Sequence, residues 1–218
     1  LPTAKGSSEP ISTVAVASKL ADEIGYPVII KAAAGGGGIG MQIVHVENEF
    51  GSALKLCQSR AKSAFGDDRV FVEKYIEGAQ HVEFQVLGEG KTAIHFGERF
   101  CSIQRRHQKL VEEGPWLDEE TRAKIGALVC SGAESVGYKG LATFEFLRDK
   151  KGDFYFLEVN PRVQVEHTVT ELITGYNLVE LGIRVAQGES LPLTQEDVVI
   201  RGHAIQCRLN AEDTTNFI

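Results

Sequence analysis

The stretch Lys31-Ala-Ala-Ala-Gly-Gly-Gly-Gly-Ile-Gly40 decides how this chain is read, because its glycines cost chain entropy to order and need a reason. Gly35, Gly37 and Gly40 fit the dinucleotide pattern G-x-G-x-x-G, but that pattern needs a strand before it and a helix after it. Here Val28-Ile-Ile-Lys31 reads as a strand, and so does the alternating Met41-Gln-Ile-Val-His-Val46 that follows. The P-loop pattern fails as well, since Met41 stands where its lysine belongs. The stretch is therefore a glycine-rich loop between two strands. Such a loop lets backbone N–H groups approach an anion, and Lys31 adds a point charge at its root. It reads either as a hairpin tip that closes over polyphosphate or as a merely mobile tip; the residues outside it decide.

Working outward, the 218 residues suffice for one large domain or two small ones. With 23 Lys+Arg against 30 Asp+Glu the net charge is −7, which argues against nucleic acid or an anionic membrane as the main partner. No apolar run is long enough to span a bilayer and the first residues do not form a signal peptide. Cys57, Cys101, Cys130 and Cys207 are scattered, without C-x-x-C, and read as reduced thiols of a cytosolic or organelle-matrix protein. The chain starts at Leu1 and its single Met is Met41, so the expectation is a piece of a longer protein.

Along the chain, a linker-like opening precedes a helix over 13–24, the two strands around the glycine loop, and an amphipathic helix over Glu47–Phe65. In that helix Phe50, Ala53, Leu54, Cys57, Ala61 and Phe65 recur at helical spacing. A strand over Val70–Ile76 completes a small α/β unit. The remainder is strand-rich: His81–Leu87, Thr92–Phe100, Ala142–Leu147, Phe154–Val159 and Arg201–Leu209, with helices over Leu117–Val136, capped by Asp118, and over Asn177–Gln187. Consecutive hairpins exclude an all-parallel sheet, so the class is α+β on mixed or antiparallel sheets.

Two constellations carry chemistry. In the hairpin of Thr143–Leu147 and Phe154–Asn160, alternation puts Glu158 and Asn160 on one face, and a register pairing Leu147 with Phe154 brings Glu145 to the same face. Oxygen donors among Phe and Leu suit Mg²⁺ beside substrate phosphates; the alternative is pairing with nearby Arg or Lys. Next, in Asn160-Pro-Arg-Val-Gln-Val-Glu-His167, Arg162 could hold a planar anion and Glu166 act as a general base, or the two could form a salt bridge. The polar run Gln104-Arg-Arg-His-Gln-Lys109 reads as a solvated loop or, between apolar strands, as an anion pocket.

Together these pieces resemble the biotin carboxylase component of biotin-dependent carboxylases, of the acetyl-CoA, propionyl-CoA and pyruvate carboxylase type, which are ATP-grasp enzymes. The resemblance rests on Tyr26–Lys31 with its glycine loop, Phe71–Tyr75, His81–Gln85, Cys101–Lys109, Thr143–Phe146, Phe156–His167 and Gly202–Asp213, nearly the whole chain. It implies an ATP-grasp fold with a small α/β glycine-loop lid over 1–75, a larger core on a mixed or antiparallel sheet over 76–200, and the start of a C-terminal region over 201–218. Lys31, Gly36, Gly37 and Gly38 would hold ATP phosphates. Glu73, Lys74 and Ile76 would meet adenine, and His81, Gln104 and His107 would line the nucleotide pocket. Glu145, Glu158 and Asn160 would bind Mg²⁺ or Mn²⁺. Lys109, Arg162, Gln164 and Val165 would frame bicarbonate, Glu166 would deprotonate it, and Arg208 would stabilise the biotin enolate.

The implied reaction is that of a ligase, in which bicarbonate attacks the γ-phosphate of MgATP and the resulting carboxyphosphate delivers CO₂ to N1 of biotin. A carrier domain presents the biotin, and a carboxyltransferase and a homo-oligomeric, cytoplasmic or mitochondrial-matrix parent are expected. The sequence departs from the family at Ile39, where Arg or Lys is usual, and at Thr168, where Pro is usual. One further phosphate-contacting lysine is expected before residue 1, so this chain by itself is expected to be poorly active. The competing readings are another ATP-grasp ligase of the carbamoyl-phosphate type, distinguished by an amine acceptor in place of biotin, and a non-catalytic nucleotide-binding fragment.

Overall fold

The computed structural model describes residues 1–11, 13–34, 40–105, 108–211, 213 and 215. They form two units, Thr3–Glu77 and Gly78–Ile218 with Leu1–Pro2, each with its own core. In the first unit α1 (Val14–Ile24) precedes β1 (Val28–Ala32) and β2 (Met41–Val44), followed by α2 (Glu47–Phe65) and β3 (Val70–Lys74). The three strands make an antiparallel sheet in the order β2-β1-β3. Along β1 burial alternates, so that Val28, Ile30 and Ala32 face inward with Phe50, Leu54 and Cys57 of α2 and Ala17 and Ala21 of α1. The same alternation sends Lys31 to the opposite face, where Glu73 of β3 also lies. The glycines Gly36, Gly37 and Gly38 and the departure at Ile39 lie outside the described residues.

The second unit is built on a six-stranded sheet with the order β8-β7-β4-β5-β6-β9, and every pairing is antiparallel. Its strands are β4 (Gln80–Glu89), β5 (Ala93–Arg105), β6 (Gln108–Gly114), β7 (Lys139–Arg148), β8 (Phe154–Asn160) and β9 (Ala204–Cys207). Helix α3 (Glu119–Ser135) starts at Asp118, whose carboxylate accepts the Thr121 N–H at 2.8 Å, as the sequence predicts. Helices α4 (His167–Thr174) and α5 (Leu178–Ala186) follow β8. One sheet face, with Val82, Phe84, Val86, Phe144 and Phe146, packs on Ile125 and Val129 of α3. The other is divided. Leu87, Ile94 and Phe96 pack on Leu178, Leu181 and Val185 of α5. Alternation places Glu83, Gln85, Thr143 and Glu145 further along the same face, where polar groups replace the apolar ones.

Three expectations are corrected. Leu147 pairs with Tyr155 rather than Phe154, and an irregularity between Glu145 and Phe146 restores the register so that Glu145 lies opposite Glu158. The polar run after Cys101 is no solvated loop: Ser102–Arg105 end β5 and Gln108–Lys109 begin β6, with Arg106 and His107 outside the described residues. Helix α4 is absent from the sequence reading, because His-Thr-Val-Thr-Glu-Leu-Ile-Thr is rich in β-branched residues and its helicity comes from burying Val169, Thr170 and Ile173.

Packing of α3 on the sheet depends on Gly126, where an added Cβ would lie 2.2 Å from Nε2 of His95. The His95 ring sits edge-on to Phe84, and its Nδ1 accepts the Gly97 N–H at 3.3 Å. Burial pushes the His95 pKa down to about 4, against the Glu98 charge that works the other way. The folded value lies below the unfolded value of 6.5, so the contribution is present above pH 6.5 and is lost as pH falls toward 4. Substituting His95→Asn should therefore flatten the pH dependence of urea unfolding between pH 7 and 4.5, the natural protein losing about 2–3 kcal/mol more than the variant over that window. Parallel pH profiles would show that His95 is protonated without cost.

Candidate functional site

The polar part of the second sheet is a row fixed by register: Glu158 lies opposite Glu145, Glu145 opposite Glu83, and Glu83 opposite Arg99. Adjacent carboxylates repel, and burial makes the repulsion costly. Lys109 of β6 resolves it. Its ammonium donates to Glu83 Oε2, to Glu145 Oε1 at 2.7 Å and to Glu166 Oε1 at 2.8 Å. Burial would lower the Lys109 pKa, but the charges of Glu83, Glu145 and Glu166 overcome it and hold the ammonium protonated well above the ordinary range. Burial likewise works to raise Glu145 and Glu166. His81 and Lys109 outweigh it for the first, Lys109 and Arg99 for the second, and both carboxyls stay below the ordinary range.

Glu166 stands at the N-terminal boundary of α4, and its second oxygen accepts from Arg208 Nη2 at 2.7 Å. Arg208, just past β9, also donates through Nε to Glu112 Oε1 at 3.0 Å, where burial pushes the Glu112 pKa up in spite of Arg208. The Arg162–Glu166 alternative does not occur: Arg162 is exposed and donates instead to Asn160 Oδ1 at 3.0 Å. Asn160 Nδ2 and Gln164 Nε2 both donate to Glu145 Oε1, at 3.0 and 3.1 Å. Val165 is exposed between Gln164 and Glu166. Lys109, Gln164, Glu166 and Arg208 thus converge through Glu145 and Glu166, with Arg162 joined through Asn160.

Glu145 Oε2 lies 3.0 Å from His81 Nε2, without the alignment of a hydrogen bond, and His81 Nδ1 is 3.0 Å from Gln104 Nε2. Glu158 is exposed and makes no hydrogen bond or ion pair with the described residues. Glu145 lies opposite Glu158 and Asn160 shares their face by alternation, an oxygen-donor type that suits a hard cation such as Mg²⁺. In this structure, however, Glu145 is paired with Lys109 and Asn160 Oδ1 accepts from Arg162, the alternative the sequence left open, so that Glu158 alone presents an unpaired carboxylate among the described residues of this set. In the first unit Lys31 Nζ is paired with Glu73 Oε2 at 2.5 Å. Lys74 Nζ donates to the carbonyls of Gly25 and Tyr26, both at 3.0 Å, and Ile76 is half-buried just beyond β3. His107 lies outside the described residues.

Glu83, Arg99 and Glu112, each without exposure, are the residues that sequence reasoning missed. The signal was available for Glu83, since the alternation that selects Glu145 on one strand selects a carboxylate, with Gln85 beside it, inside the largely apolar Val82–Leu87 run.

The family model for "Carbamoyl-phosphate synthase L chain, ATP binding domain" matches residues 1–194. The biotin carboxylase of Nostoc sp. is 51% identical over 216 residues, covering 98% of this chain and 48% of that protein. The crystal structure of a biotin carboxylase–β,γ-ATP complex from Campylobacter jejuni superimposes with a TM-score of 0.95 at 48% identity, over 100% of this chain and 49% of that one. The biotin carboxylase domain dimer of Hydrogenobacter thermophilus 2-oxoglutarate carboxylase, solved with MgADP, ADP and bicarbonate, gives 0.94 at 48% identity, over 99% and 48%. The chain spans about half the length of the relatives it matches.

Removing the Lys109 ammonium leaves Glu83, Glu145 and Glu166 facing one another. Lys109→Met should destabilise the natural protein by about 3–5 kcal/mol at pH 7, measured by chemical denaturation. The depressed carboxyls make the natural protein lose stability as pH falls below 4.5. Crowded carboxylates in the variant should instead have raised values, so its deficit should shrink toward pH 4. A deficit that does not change with pH would place the lost energy in packing.

Proposed function

Because this chain belongs to the family of the carbamoyl-phosphate synthase L chain ATP-binding domain, we propose that it is the ATP-grasp portion of a biotin carboxylase, a ligase that uses MgATP and bicarbonate to carboxylate biotin. The observation that carries the reading is the Lys109–Glu166–Arg208 chain of ion pairs beside Glu145 and Asn160. It supplies what bicarbonate activation requires. Lys109 and Arg162 are cations for a planar anion, and Glu166 is held ionised, ready to accept a proton. A pKa below the ordinary range makes Glu166 a weak base while Lys109 touches it. An anion drawing Lys109 away would raise it toward the useful range. Arg208, anchored by Glu112 and Glu166, would face an enolate of biotin. The carbamoyl-phosphate reading shares the metal and phosphate features; the Gln104–Lys109 and Val163–His167 runs favour the carboxylase.

Glu145, Glu158 and Asn160 would hold Mg²⁺, which supplies charge neutralisation on the phosphates of ATP. Lys31, Glu73, Lys74, Ile76, His81 and Gln104 would contribute nucleotide contacts. A domain carrying biotin and a carboxyltransferase are the expected partners, in a homo-oligomeric parent. No described helix is long and apolar enough to cross a membrane, and the cysteines are all free, as thiols are in the cytoplasm or a reducing organelle matrix.

In the full natural protein, Glu166→Gln should cut bicarbonate-dependent ADP release by about 10²–10⁴-fold, the scale of a lost general base. Binding of MgATP should be unchanged, and a parallel loss of nucleotide affinity would show that Glu166 is structural. For the metal, Glu158→Gln should weaken Mn²⁺ binding in the presence of ADP, followed by electron paramagnetic resonance, while nucleotide binding without metal stays as it was. Unaltered Mn²⁺ affinity would remove Glu158 from the metal site.

A further inference from the structure

Arg99 has no assigned role in the reaction, yet it heads the large side chains with no exposure. Its guanidinium carries five N–H donors, and the structure gives it five acceptor contacts. Nε donates to Glu83 Oε1 at 2.6 Å, and Nη1 to Gln85 Oε1 at 2.9 Å and Thr170 Oγ1 at 2.8 Å. Nη2 reaches Thr143 Oγ1 at 3.3 Å and Gln164 Oε1 at 3.5 Å. These acceptors come from β4, β7, the segment after β8, and α4, so one rigid planar fork fixes their relative placement.

Two of the five acceptors lead directly to the substrate side. Glu83 uses one oxygen for Arg99 and the other for Lys109. Gln164 turns its amide oxygen to Arg99, and its amide nitrogen therefore points to Glu145, 3.1 Å away. A lysine in place of the arginine would offer three donors on a mobile stem and could not serve all five acceptors. A buried Arg–carboxylate pair is by itself weak evidence of stabilisation. Here the pair lies one contact behind Lys109 and Gln164, the groups assigned to bicarbonate.

We infer that Arg99 is a positioning residue for bicarbonate activation: through Glu83 it holds the Lys109 ammonium in place, and through Gln164 it sets which end of that amide faces the anion. The inference rests on the biotin carboxylase reading above. It predicts a larger effect on bicarbonate than on nucleotide, because Arg99 stands one contact behind Lys109 and Gln164, whereas His81 is reached only one step further, through Glu145.

The test uses the full natural protein and follows bicarbonate-dependent ADP release together with direct MgATP binding. Arg99→Lys keeps the charge and loses the fork, and should lower kcat/KM for bicarbonate about 10²-fold, the scale for misplaced reacting groups, with MgATP affinity within about twofold. Thr170→Val is a milder, near-isosteric change outside the site, which guards against an Arg99 variant that fails to fold. It removes one acceptor and should raise the bicarbonate KM about fivefold, an order-of-magnitude expectation for one buried hydrogen bond. Thr170→Ser retains the hydroxyl and should leave that KM as in the natural protein. An unchanged bicarbonate KM in folded Thr170→Val, or equal losses for bicarbonate and MgATP, overturns the positioning role. An unmodified protein without bicarbonate dependence overturns the functional reading itself, and this inference with it.

Discussion

A single ammonium group holds the second unit's polar interior together. Lys109 is the point where β4, β6, β7 and the start of α4 meet, because Glu83, Glu145 and Glu166 each direct a carboxylate at it. The facing carboxylates of Glu145 on β7 and Glu83 on β4, both buried, would be untenable without a cation beside them. Arg99 closes the row at one side and Arg208 extends it to β9 through Glu166. The same network that permits burial also favours the charge states a bicarbonate site would need: a Lys109 ammonium held protonated, and Glu145 and Glu166 held ionised. Stability and site chemistry therefore share groups, and substitutions in this network should alter both.

Much of the fold was legible where burial is apolar. The alternation of Val28, Ile30 and Ala32, and the helical spacing of Phe50, Leu54 and Cys57, locate β1 and α2 closely. β6 was illegible for the opposite reason. Its buried positions are Lys109, Glu112 and Gly114, so a search for apolar periodicity finds nothing there. The hairpin it forms with β5 turned a polar run into two strands. The register between β7 and β8 was similarly out of reach, since an irregularity between Glu145 and Phe146 shifts the pairing by one without changing the composition.

The candidate site divides along the same line. Alternation brought Glu158 and Asn160 to one face, an assumed register that the structure corrects added Glu145, the residues themselves suggested Arg162 and Glu166, and the resemblance supplied Lys109, Gln164 and Arg208. None of these sources pointed to Arg99. A lone arginine in Gly97-Glu-Arg-Phe100 reads as a surface charge at a strand end, and only the partners gathered from distant segments show it to be wholly buried. Long-range convergence of this kind leaves no local pattern. The separations from Arg99 to its acceptors run from 14 residues for Gln85 to 71 for Thr170.

Of the two departures from the family pattern, Ile39 lies outside the described residues, whereas Thr168 has a structural consequence. Proline in the first turn of a helix is favourable because it fixes φ where the N–H has no helical partner. Threonine gives up that restriction, and here its hydroxyl donates to Gln206 Oε1 at 2.5 Å. Thr168 is in the first turn of α4, two residues past Glu166, and Gln206 is on β9, two residues before Arg208. The bond thus lies parallel to the Glu166–Arg208 ion pair and joins the same two elements. It is exposed to solvent, so its net worth is about 0.5–1.5 kcal/mol at most. That is comparable with what a first-turn proline offers through chain entropy, about 0.4–1 kcal/mol. The substitution exchanges a local restraint on α4 for a tie between α4 and the strand that leads to Arg208, which leaves the geometry around Glu166 supported from two directions.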